Sequence, residues 1–171
     1  RPTFVIFSVD LKTTAHIPNW IPLTKFMSPR IGADVLWQRP LLHRLSKAVS
    51  SKPLSLISAP AGSGKSTLAA SLQTVDAERP LIWLSLDEDD DDPALFLWLL
   101  TAAISHSFPA CAANSVNLIQ DLEKPAVELK RVLGVLINDV LQSDLLPFTF
   151  VIDDYHLLES PSIQQAMRFL I

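Results

Sequence analysis

The chain has 171 residues, 49% of them hydrophobic, and a mean hydropathy of +0.28, which excludes a disordered segment and predicts about one domain's worth of buried core. Its 18 acidic residues against 14 Lys and Arg leave a formal net charge of −4, the wrong sign for a surface that binds nucleic acid by neutralising phosphates. The longest nearly uninterrupted apolar run, Ala94 to Ile104, falls short of the roughly 20 residues needed to cross a bilayer, so no membrane contact is expected.

The chain opens on Arg1 rather than Met, and its first apolar stretch, Phe4 to Val9, is too short and poorly flanked for a secretory signal, so a fragment of a longer chain is expected. Residues 1–28 hold Pro2, Pro18 and Pro22 without a period and are expected to be an irregular, loosely ordered lead-in. From Arg39 the pattern turns helical, with Pro40 at the first turn and Leu41, Leu42, Leu45, Ala48 and Val49 on one face. A first strand is predicted over Leu54–Ser58, then the loop Ala59–Ser66, then a helix to about Gln73. A second strand, Leu81–Ser85, runs into the acidic block Asp87–Asp92, which is expected to be a solvated run favouring the start of the next helix rather than a metal site. Asp92-Pro93 is a helix start, with a very apolar helix to about His106. A loop with Pro109 and Cys111 follows, then a helix whose stripe is Leu129, Val132, Leu133, Leu136 and Val140. The third strand, Phe148–Ile152, is a continuous apolar run ending at Asp153-Asp154, and Ser160-Pro161 opens a last helix. Strands alternating with helices predict an α/β fold, with a parallel sheet flanked by helices and ligands at the carboxyl ends of the strands. The lone Cys111 predicts a reducing, cytoplasmic setting, and no Cys/His spacing resembles a zinc site.

The chemistry concentrates in the first loop. Ala59, Pro60, Ala61, Gly62, Ser63, Gly64, Lys65 and Ser66 fit the phosphate-loop pattern except that Ala59 replaces the first glycine. Two of the chain's four glycines sit there, freeing the backbone to turn its N–H groups toward a phosphate. Lys65 is placed to reach β and γ oxygens, Ser66 to bind Mg²⁺ and Thr67 to cover the α-phosphate. Asp153, ending a buried strand, is the second candidate Mg²⁺ ligand, and Asp154 is a candidate for activating water or orienting the metal shell. Because Asp is shorter than the usual Glu, slow turnover is expected. His43, His106 and His156 show no ligand spacing, and Trp37, Trp83 and Trp98 read as packing residues, Trp37 near the adenine side.

Three segments in order, Ser58–Thr67, Trp83–Glu88 and Val151–His156, resemble the N-terminal nucleotide-binding domain of the large ATP-binding LuxR-type transcription regulators, a group of STAND-type P-loop NTPases. The resemblance covers residues 29–171, and Ala59 is usual in that group. It implies ATP and ADP as ligands with Mg²⁺, an ADP-closed and ATP-open switch, self-association of the full-length protein, and DNA contact only through a C-terminal domain outside this chain. Trp37–Leu42 resembles the group's pre-loop motif, making Arg39 a base or ribose contact. A further strand with a sensor Arg, later in such chains, would insert between the first and third strands, so the sheet is expected to be truncated, with apolar edges. A P-loop ATPase or phosphotransferase acting on a small molecule is the alternative.

Overall fold

A parallel pair of short strands organises the molecule. The computed structural model describes residues 18–32, 39–109, 111–122, 128–143 and 147–171. Strand β1 (Leu81–Ser85) pairs with β2 (Thr149–Asp153) in the register Leu81↔Thr149 through Ser85↔Asp153. Residues paired in a parallel ladder project to the same side, and successive ones alternate. Ile82, Leu84, Phe150 and Ile152 therefore share one face, and Trp83, Ser85, Val151 and Asp153 share the other.

The first face carries the main core. Helix α4 (Pro93–Ser107) lies against it, buried on nearly every side, with Phe96, Leu97 and Ala103 fully enclosed. Around α4 pack α5 (Ala113–Asp121), α6 (Leu129–Gln142) and α7 (Pro161–Leu170). The second face is covered by α2 (Lys65–Ala70), whose Ala69 and Ala70 meet Trp83 and Val151. Helix α1 (Arg39–Ser51) joins α2 and the short α3 (Leu72–Val75) through Leu42, Leu45, Leu68 and Leu72. Helices thus flank the parallel sheet on both sides, as expected of an α/β fold. The helix after the loop is interrupted at Ser71, whose buried hydroxyl donates back to the Thr67 carbonyl at 2.8 Å, a bond that bends helices.

Several expectations are corrected. The segment 54–58 does not join the two-stranded sheet; it runs extended with bridge geometry at Leu56 alone, and Leu54 and Leu56 are 39% and 68% exposed. A strand needs neighbouring backbone along its ladder edge, and the only described strand ladder is that between β1 and β2. The alternation survives, because Ile57 turns inward to the clusters around α1 and α2. The segment with Pro109 and Cys111 is followed by α5, a helix absent from the sequence reading. Leu41 faces outward at 42% exposure rather than joining the α1 stripe. The loose order expected of the lead-in does not extend over 18–28, where Ile21 and Phe26 enter the main core and Leu23–Phe26 forms a 3₁₀ turn. Trp37 and residues 1–17 lie outside the described residues.

The acidic block is not simply a solvated run. Lys25 donates to Asp87 at 2.5 Å and to Asp90 at 2.6 Å, and Asp90 is 98% buried, its Oδ2 also accepting from the Asp87 amide at 2.7 Å. Asp91 accepts from the amides of Glu159 and Ser160 at 3.0 and 2.9 Å, tying down the start of α7. Asp92 caps α4 as expected, accepting from Ala94 and Leu95. Like charges sit together here because Asp87 and Asp90 share the Lys25 ammonium while Asp91 and Asp92 each accept from separate backbone amides.

The ion cluster makes stability depend on pH at both extremes. The hydrogen bond from Lys25 holds the Asp87 carboxyl below 3.8; burial works against the charge of Lys25, but its bonds to both aspartates outweigh that and raise it above 10.5. Asp87 therefore contributes stability above about pH 3.8, lost as pH falls through its lower folded value, and Lys25 contributes below about pH 10.5, lost as pH rises through its higher one. Lys25→Met is expected to cost about 2 kcal/mol in urea unfolding near neutral pH. The gap to the parent protein should close in acid and in strong base; a pH-independent gap would contradict the ion pairing.

Candidate functional site

The loop 59–64 enters α2 through two glycines in the left-handed region, Gly62 at φ +73° and Gly64 at φ +79°. L-residues pay to sit there, so glycine is the residue type the turn requires. Pro60 begins the turn, accepting from the Ser63 amide at 3.4 Å, and the Lys65 ammonium reaches back to the same carbonyl at 2.7 Å. The Leu68 amide to the Gly64 carbonyl, at 2.8 Å, starts the helix. Ala59, Pro60, Ala61, Gly62 and Ser63 are exposed, while Lys65, Ser66 and Thr67 are half-buried on the first turn of α2.

Beside the loop lies a cleft of about 390 Å³, walled by α1, the extended segment 56–59 and α2. Its lining includes Ala59, Ser63, Gly64 and Lys65 of the loop. Arg39 is not in that lining; it opens α1 as an exposed residue, and Arg44 occupies the cleft wall instead. The pre-loop motif, Trp37–Leu42, stops short of Arg44. The position of Arg44 three residues after Leu41, which also lines the cleft, was the available signal.

Asp153 ends β2 with 9% of its surface exposed, in register with Ser85 and on the sheet face that α2 covers. Its carbonyl accepts from the Leu86 amide at 3.1 Å, extending the ladder by one bond. Trp83 is a packing residue, its indole N–H donating to the Ser85 hydroxyl at 2.8 Å on that same face. Asp154 follows in the left-handed region at φ +61°, the one described non-glycine residue there, with its carboxylate 3.7 Å from His156 Nδ1 in the same turn. Ser66 and Asp153 offer hard oxygen donors of the kind Mg²⁺ takes. Among the described residues no three His, Cys, Asp or Glu side chains converge as a metal cage. Burial pushes the Cys111 thiol up, against a partly opposing contact with Ser143, so it stays protonated.

The fold and these residues define an α/β domain with a glycine-rich turn leading from an extended segment into a sheet-covering helix. No family model matches the chain. It is 38% identical over 142 residues to the HTH-type transcriptional regulator MalT of Cronobacter sakazakii, covering 83% of this chain and 15% of that protein. It is 37% identical over 131 residues to MalT of Yersinia enterocolitica, covering 77% and 14% respectively. The chain is thus similar, over most of its length, to a portion of these regulators, and spans about 15% of the length of the first of them. Among the described residues no helix is long and apolar enough to cross a membrane.

The glycine turn can be tested for strain alone. A Cβ at Gly64 meets no atom within 4 Å, so Gly64→Ala is expected to lose about 1 kcal/mol of stability through backbone conformation only. Denaturant unfolding checks this, and an unchanged midpoint would mean that the left-handed turn is not held.

Proposed function

We propose that the chain is the ATP- and ADP-binding switch module of a LuxR-type transcription regulator of the MalT kind. The observation that carries the reading is the pair of left-handed glycines, 62 and 64, immediately before Lys65, Ser66 and Thr67. Such a turn frees successive backbone N–H groups to face a phosphate while the lysine supplies the opposing charge. Similarity to MalT supports the regulatory setting.

In this reading the backbone from Ala59 to Gly64 cradles the β-phosphate, Lys65 binds β and γ oxygens, and Thr67 covers the α-phosphate. Ser66 and Asp153 would hold Mg²⁺ through their side-chain oxygens, and the ion would supply charge neutralisation at the phosphates; since Mg²⁺ is commonly held by one or two protein oxygens, a three-residue cage is not required. Asp154, in its left-handed turn, serves as a weak activator of water and gives slow hydrolysis. ADP favours a closed full-length protein, and ATP an open, self-associating one that reaches DNA through a separate C-terminal domain. The NTPase unit is assigned to residues 29–171, and the setting is cytoplasmic.

Lys65→Ala should weaken ATP and ADP binding by about a hundredfold, the loss of two charge-assisted contacts of about 1.5 kcal/mol each. Asp153→Ala should keep nucleotide binding but remove its dependence on Mg²⁺. Calorimetric titration with and without EDTA reads both. Unchanged affinity in Lys65→Ala would remove the site, and rapid multiple-turnover hydrolysis by the parent protein would replace the switch with the ATPase reading.

A further inference from the structure

The cleft beside the loop differs in charge from the chain around it. Its described lining holds two cations, Arg44 and Lys65, and no carboxylate, although the chain as a whole is at −4. Helix α1 repeats the bias, carrying Arg39, Arg44 and Lys47 and no acidic residue, so no helical neighbour is available to neutralise Arg44. Arg44 is exposed and makes no ion pair or hydrogen bond with a described residue. The apolar wall around it includes Leu41, Leu45, Leu56 and Leu68, and Leu56 is left 68% exposed.

A guanidinium presents a planar fork of donors that matches two oxygens of a phosphate, and it is less strongly hydrated than an ammonium. In a cleft whose other polar side chains, Ser58 and Ser63, are neutral, with the loop lysine as the other charge, it favours an anionic ligand over a neutral one. We propose that Arg44 is the second cation of the nucleotide site, binding the phosphate chain from the α1 side while Lys65 binds it from the loop. The assignment rests on the nucleotide reading of the loop and adds to it a residue outside the phosphate-loop motif. It makes the site selective for ligands with at least two phosphates over the nucleoside.

The test titrates ADP, pyrophosphate and adenosine into the parent protein, Arg44→Gln, Arg44→Lys and Lys65→Ala, each at low and high salt. Arg44→Gln should weaken ADP and pyrophosphate by about tenfold, leave adenosine unchanged and flatten the salt dependence. Arg44→Lys should recover part of the loss. The exposed position predicts unchanged thermal unfolding in both variants. ADP bound by Arg44→Gln as by the parent at both salts, with Lys65→Ala impaired, would overturn the role of Arg44 and leave the loop assignment intact. Equal losses for adenosine and ADP would move the guanidinium to the nucleoside and overturn the phosphate contact. Parent-like binding of ADP by both Lys65→Ala and Arg44→Gln would overturn the nucleotide reading and this proposal with it.

Discussion

The ammonium of Lys25, held between Asp87 and Asp90, fixes the end of the sheet on which the remaining structure depends. A carboxylate as enclosed as Asp90 costs several kcal/mol to bury unless donors replace its water. Lys25 and the Asp87 amide are those donors, so the lead-in must dock for β1 to end where it does. Docking carries Ile21 and Phe26 into the core, and Phe26 meets the His106 ring at the far end of α4, 5.6 Å between centroids. The same acidic stretch caps α4 through Asp92 and secures the start of α7 through Asp91. One short run of carboxylates thereby couples the lead-in, the central helix and the segment following β2. Asp153 inherits a fixed position from this coupling, because the Leu86 amide that leads into the block is bonded to its carbonyl.

Periodicity made most of this architecture legible. Helix α6 follows from its apolar spacing, and α4 and α7 from the starts Asp92-Pro93 and Ser160-Pro161, signals that act within one helical turn. The run ending at Ile152 reads as a buried strand because all five residues of β2 are enclosed on both faces. In the loop, Gly62 and Gly64 could be assigned to special conformations since a left-handed turn has few alternatives to glycine. Local rules suffice where the physical cause is itself local.

The misses share the opposite cause. Helix α5 begins after Ala112 with no side-chain cap of its own; its N-terminal Ser115 amide and hydroxyl are bonded at 3.0 and 2.7 Å by Asp139, a buried carboxylate on α6. A start signal 24 residues downstream is invisible to a reading that looks for Ser, Thr, Asp or Asn at the helix end. The donors to the acidic block are similarly remote, Lys25 lying 62 residues before Asp87 and Glu159 lying 68 after Asp91. The first strand failed for a related reason: Leu54–Ser58 has the alternation of a strand, but pairing depends on which backbone lies alongside.

These remote pairings also govern the electrostatics of the candidate site. Four carboxylates of the acidic block are held by Lys25 or by backbone amides, which fixes their charge near one end of β1. Asp139 is likewise held in place by donors from Asn114 and Ser115. The positive charges of α1 have no acidic partner on their own helix, and the described lining of the cleft that Arg44 borders holds no carboxylate. Separation of this kind produces a positive cleft on an acidic molecule without a basic surface overall. In the proposed site such a cleft favours a multiply charged anion, whereas the extended phosphate lattice of a duplex would meet the net negative charge of the chain around it.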